Sequence, residues 1–180
     1  MSRKIAIVFG FTMALLTVVV VALAQDNSGA DFVADKIKFS YKKNATTFWG
    51  SPENPVSVQV DKYTVWAPFL EYYQDTGEVI ASGGVRLVGK DPELELVCDQ
   101  VEAGREQILA TGNVVFKYAE FSGTGEKLIY LPQKEHATLE GNPEVKTANG
   151  FITGSVIEVD LASQVITATG GSKLHLDEVE

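Results

Sequence analysis

The side chains with chemistry to offer in this 180-residue chain are two histidines, one cysteine, a recurring acid and one lysine cluster. His136 and His175 stand in unrelated contexts and lack the spacing by which imidazoles share a metal ion; His136 reads as a solvated strand residue. A lone Cys98 excludes an intramolecular disulfide, and it fills a small apolar slot that holds Ala34, Val60, Gly125 or Gly154 elsewhere, so the thiol is expected to pack as a small hydrophobe. Asp35, Asp61, Asp99 and Glu126 could be read as carboxylates for acid–base work. They recur at equivalent places in a repeated phrase, however, where acids more commonly support turns. Asn44-Ala45-Thr46 is a sequon match of no weight, and neither a phosphate loop nor a nucleophile elbow occurs. No enzyme, metal or cofactor is expected, and the function belongs to the architecture that these residues decorate.

That architecture is periodic. Gly83, Gly112, Gly141 and Gly170 stand 29 residues apart and open similar phrases: ASGGVRL at 81–87, ATGNVVF at 110–116, LEGNPEV at 139–145 and ATGGSKL at 168–174. A fixed period marks one supersecondary unit stacked several times. Read by twos, Ile108, Ala110, Gly112, Val114 and Phe116 share one face and Leu109, Thr111, Asn113 and Val115 the other, which is strand spacing. Val79 to Leu87 and Ala137 to Val145 read the same way. A recurring glycine inside a strand implies a bend, a bulge or a close approach.

A second phrase precedes each glycine: ADKIKF at 34–39, VDKYTV at 60–65, CDQVEA at 98–103, GEKLIY at 125–130 and GSVIEV at 154–159. Its apolar residues fall at the first, fourth and sixth places, so strict alternation cannot put them on one face. A corner or bulge at the acid pair is therefore expected. From this phrase to its glycine takes 16 residues in the first, fourth and fifth copies, 23 in the second and 14 in the third; the first copy, with Phe48-Trp49-Gly50-Ser51, is the most degenerate.

Residues 1–24 read as a secretory signal peptide: Arg3 and Lys4 precede an apolar run from Ile5 to Leu23 that ends in Ala22-Leu23-Ala24. The alternative is an uncleaved inner-membrane anchor facing the periplasm, since the run approaches the ~20 residues that span a bilayer. No cysteine follows for a lipid anchor. The remainder is strongly acidic, 24 acidic against 13 basic residues, which excludes a nucleic-acid partner. Lys36, Lys38, Lys42 and Lys43 are the local exception, either a solvated strand face or a patch that meets phosphate or another anion.

The ATGNVVF phrase with its upstream ADKIKF or GEKLIY phrase, repeated behind a signal peptide, resembles the LptA/OstA-like periplasmic proteins of lipopolysaccharide transport over roughly residues 31–176. The resemblance implies an all-β fold, an antiparallel β-jelly-roll or open stacked β-sandwich of about five degenerate repeats. It implies a periplasmic carrier or bridge module whose hydrophobic interior groove shields the acyl chains of lipopolysaccharide or a related lipid. Its expected partners are jelly-roll components of the inner and outer membrane, or further copies joined end to end so that the groove is continuous. WAPFLEYYQDTGEV at 66–79 reads as an insertion relative to that family, and the aromatic residues Tyr63, Trp66, Phe69, Tyr72 and Tyr73 as lid, interface or core.

Alternating apolar faces give that role a physical basis. Two such faces either interdigitate or stay apart, and small residues at the Ala-x-Gly and Ala-Asp slots would keep the walls open. The expected lining of a lipid groove is Ile37, Phe39, Tyr63, Val85, Leu87, Val101, Val114, Phe116, Leu128, Tyr130, Leu139, Val145, Ile157 and Leu174, with ordinary core packing the alternative for each. The first and last strands, near Asp31 to Phe39 and Lys173 to Leu176, would offer unpaired edges to a partner strand, unless Asp177-Glu178-Val179-Glu180 blunts the second by charge. The alternative function is a non-enzymatic scaffold stack with a dry, filled core.

Overall fold

A computed structural model describes residues 30–60, 63–90, 93–118, 121–163 and 165–176, so the signal or anchor segment lies outside the described residues. Among the described residues sixteen strands form one antiparallel sheet. Four long central strands run its full width: β7 (Glu78–Lys90), β8 (Glu93–Ala103), β9 (Ile108–Tyr118) and β10 (Phe121–Leu131). On the N-terminal side each full-width strand is cut in two, as β1 (Ala30–Val33) with β2 (Lys36–Ser40), β3 (Ala45–Trp49) with β4 (Val56–Val60), and β5 (Tyr63–Ala67) with β6 (Phe69–Tyr73). The C-terminal side repeats this with β11 (His136–Glu140) and β12 (Glu144–Thr147), β13 (Gly150–Thr153) and β14 (Val156–Asp160), and β15 (Val165–Thr169) and β16 (Lys173–Leu176). The result is an up-and-down meander of ten bent strands.

The bends divide the sheet into two arms. β2, β3, β6, β11, β14 and β15 lie in one arm with one half of each central strand; β1, β4, β5, β12, β13 and β16 lie in the other with the remaining halves. One apolar core draws on both arms, and Phe32 of β1 stacks on Phe48 of β3 across them with ring centroids 4.6 Å apart. This is the jelly-roll expected from the chain, folded along its line of corners.

The corners sit where the acid phrases and the glycines meet. Along β8 the buried side chains are Leu94, Leu96 and Cys98, then Val101 and Ala103, and the ladder to β7 shifts register between Ser82 and Val85 opposite Gln100 and Cys98. On β10 the shift falls between Gly125 and Lys127. An extra residue at these points changes which parity faces inward and sharpens the local twist. Gly112 and Asn113 provide it on β9 with φ of +76° and +49°, and a Cβ on Gly112 would lie 2.8 Å from that of Asp99. Gly141 is packed against Glu126 in the same way, and Asn113 Nδ2 donates to Asp99 Oδ2 at 3.1 Å. The acid recurs because it covers the glycine of the next strand. At the fifth corner Ser155 does so, its hydroxyl donating to the Gly170 carbonyl at 2.8 Å.

One copy must be corrected. VDKYTV at 60–65 is not a corner: Val60 and Tyr63 are antiparallel partners on β4 and β5, and Asp61 and Lys62 lie outside the described residues. The second corner is Ala67-Pro68, between β5 and β6, and a Cβ on Gly83 would meet the Pro68 ring at 3.2 Å. WAPFLEYYQDTGEV is therefore no insertion but the repeat itself, with Ala67, Leu70 and Tyr72 in the three apolar places. The interval from Ala67 to Gly83 is then 16 residues, as in three other copies, and only the third copy departs. Proline can stand there because a strand break needs no ladder N–H. In the first copy a loop from Gly50 to Pro55 replaces the bulge, and Asn54 Nδ2 reaches Asp35 Oδ1 at 2.5 Å.

Outside the core, the β14–β15 turn is held by Asp160, whose carboxylate accepts the Ser163 N–H at 2.8 Å. That bond holds the Asp160 pKa below the ordinary carboxylate value. A depressed folded pKa contributes stability that is fully present above the unfolded value, roughly 4, and is lost as pH falls through the folded one. Asp160→Asn should therefore lower stability above about pH 4 and flatten the acid limb, with variant and parent converging at low pH, as measured by urea unfolding across pH.

Candidate functional site

Inward-facing residues of neighbouring strands are directly opposite one another, and the pairings chain them into rows that cross the whole sheet. In the first arm the row runs Ile37, Phe48, Leu70, Ala81, Val101 and on through Ala110, Leu128, Leu139, Ile157 and Ala168. In the second it runs Phe32, Val58, Val65, Leu87, Leu96 and on through Phe116, Gly123, Val145, Ile152 and Leu174. Ten strands at ~4.8 Å spacing make each row about 43 Å long. The two rows face each other across the fold and together form one apolar track along the stack.

Burial grades along this track. Its middle is closed, with Leu139 and Leu96 at 1% exposure and Ile157 and Ala110 at 0%. Its ends are open, with Ile37 55% exposed in the first strand and Leu174 63% exposed in the last. The cause is the meander: an inner strand is flanked on both sides, whereas among the described residues β1, β2, β15 and β16 each pair on one side only. An end row therefore has neighbours on one side alone.

Of the fourteen residues read from the sequence, Tyr63, Val85, Leu87, Val101, Val114, Leu128, Tyr130, Leu139, Val145 and Ile157 are brought into the one buried cluster. Phe116 packs against that cluster half-buried, and Ile37, Phe39 and Leu174 are exposed at the ends. Tyr63 lies in the second arm; the residue at the place equivalent to Ile37 is Leu70. Sequence reasoning missed Phe48, Leu70, Val58, Val65 and Leu96. Leu70 was legible from the Ala-x-x-Leu-x-Tyr spacing of 67–72; the others sit in strands whose phrases lack a central glycine. Tyr72 and Tyr63 belong to the core or its margin, while Trp66 and Trp49 are outward, Trp66 beneath the Arg86 guanidinium at 5.6 Å and Trp49 beneath Lys36 Nζ at 4.8 Å.

The chemically capable residues remain apart. His136 Nε2 lies 3.9 Å from Glu158 on the outer face, and the His175 ring stacks on Phe151 at 5.0 Å on the last strand. Among the described residues no three His, Cys, Asp or Glu side chains converge on a metal site, and no helix is long and apolar enough to cross a membrane. Cys98 is buried in the core, and burial, aided by the Asp99 charge, pushes its thiol up to about 12. At pH 8 its thiolate fraction is then about a thousandfold below that of an ordinary thiol. Iodoacetamide should accordingly leave Cys98 unlabelled in the folded protein for hours and label it promptly in urea, as read by intact mass.

Residues 32–165, about three-quarters of the chain, match the family described as LptA/(LptD N-terminal domain) LPS transport protein. No curated protein matches the chain. Among solved structures it is similar to LptH of Pseudomonas aeruginosa, described as the LptA-homologous periplasmic component of the conserved lipopolysaccharide transport device. The identity is 13% and the TM-score 0.39, over 86% of this chain and 99% of that one.

Proposed function

This chain belongs to the LptA/LptD N-terminal domain family of LPS transport proteins, a non-catalytic periplasmic transport family, and on that premise we propose that its apolar track shields the acyl chains of lipopolysaccharide or a related lipid. The observation that carries the reading is the pair of uninterrupted apolar rows that reach both ends of the stack. An acyl chain gains about 0.8 kcal/mol per CH₂ removed from water, so such a track holds one without specific polar contacts. Passage needs no specific site: the rows present no charged side chain from end to end, so an acyl chain meets no polar barrier along them. At the ends Ile37, Phe39 and Leu174 already meet solvent; in the middle the facing rows touch one another, so cargo must part the arms there. End strands with one free edge suit continuation of the track into a jelly-roll partner or a further copy. The described domain, residues 31–176, would act behind a cleaved signal peptide at 1–24, or behind the same segment as an anchor.

The closed middle favours a second reading, a scaffold stack whose core stays dry. A photo-crosslinking side chain placed at Val114, Phe116 or Leu139 separates the two in cells. The carrier reading expects lipid-linked protein at these interior positions; capture at none of the three, with the protein folded and exported, would leave the scaffold.

A further inference from the structure

The basic cluster at the first end is not absorbed by the interior track. Residues 30–50 carry four lysines against Asp31 and Asp35, whereas residues 51–180 carry nine basic and twenty-one acidic side chains. The charge of the chain is thus polarised along the stack, with its basic pole on β2 and the turn that follows. Lys36, Lys38, Lys42 and Lys43 are all exposed, and none forms an ion pair among the described residues; Lys36 rests on the Trp49 ring. The nearby acids are engaged elsewhere, Asp35 by Asn54 at 2.5 Å and Asp75 by Asn44 at 2.6 Å.

Between these lysines stand apolar side chains that meet water. Ile37 and Phe39 alternate with Lys36 and Lys38 on β2, and Tyr41, 90% exposed, tips the turn with its ring edge-to-face on Phe39 at 4.7 Å. A strand addition would cover the β2 backbone but not this tip, because the last paired residue of β2 is Ser40 and Tyr41 to Lys43 lie beyond it. Ammonium groups on long stems around a protruding aromatic pair are the chemistry of an interfacial contact: the rings sit at headgroup depth and the lysines reach lipid phosphates.

We propose that this end docks on the surface of an anionic lipid bilayer, through the Phe39–Tyr41 tip and Lys36, Lys38, Lys42 and Lys43. The contact orients the stack with its basic pole toward the membrane and its acidic body away, and it is independent of what the interior carries. The surface potential draws each lysine near the membrane, by about fivefold in affinity.

The chain from Gln25, which retains every described strand, provides the test in flotation with vesicles of phosphatidylcholine alone or doped with phosphatidylglycerol. The doped vesicles should bind it about tenfold or more better at low salt, and raised salt should erase the difference. Replacing all four lysines with glutamine should abolish the preference, replacing all four with arginine should keep it, and Tyr41→Ser should weaken binding severalfold while leaving the salt dependence. Equal binding to both vesicles, a glutamine variant that binds like the parent, or an arginine variant that loses the preference while its melting curve is unchanged would each overturn the proposal. So would a glutamine variant altered only in self-association by sedimentation, which would assign the cluster to a second copy of the chain.

Discussion

Gly112→Ala should destabilise the fold by roughly 2–5 kcal/mol, the sum of left-handed backbone strain and overpacking. Both terms arise at one atom. With φ at +76° a Cβ is strained wherever it points, and here it points into the Asp99 side chain, whose own Cβ would be 2.8 Å away and cannot rotate aside. Gly84→Ala isolates the first term, because its φ is +99° but nothing lies within 4 Å of the added methyl; about 1–2 kcal/mol is expected there. Urea unfolding midpoints of the two variants measure the difference, and Asp99→Gly in the Gly112→Ala background should recover part of it by removing the obstructing Cβ. A Gly112 variant no less stable than the Gly84 variant would contradict the account of the corners as acid-over-glycine contacts.

Position along the track sets the second large effect. Leu139→Ala should cost about 2–5 kcal/mol, since the side chain is 1% exposed and flanked by Leu128 and Ile157, and its removal leaves a cavity between two fixed strands. Ile37→Ala removes a similar volume from the same row yet should cost under about 1 kcal/mol, because more than half of the Ile37 side chain already meets water. Thermal or urea unfolding of the two variants provides the comparison. Equal losses would mean that the first strand is covered on its outer side, and the open end would have to be abandoned.

These two cases mark how far the residues could be read in order. The alternation of Ile108, Ala110, Val114 and Phe116, the parity change at Asp99 and Glu126, and a bend or close approach at the recurring glycine were all legible, because each is a local consequence of strand geometry and of φ > 0. The Pro68 corner was obscured for the same reason. Chemical likeness led to the Asp-Lys pair at 61–62, whereas the corner requires only a residue whose bulk covers Gly83 and whose backbone forgoes the ladder, and proline meets that requirement without resembling an acid.

The antiparallel order was implied by the family resemblance, and periodicity along the chain was enough to establish a stack of bent strands with one apolar face, since side-chain direction and corner sterics depend on the nearest few residues. Burial was not, because it depends on how many strands flank a position, and strand neighbours are set by pairing between distant segments. Ile37 and Leu139 were both read from the sequence as lining, yet one ends the track in water and the other closes its middle. The tertiary structure alone separated the dry centre from the open ends, because only it shows how many strands flank each position.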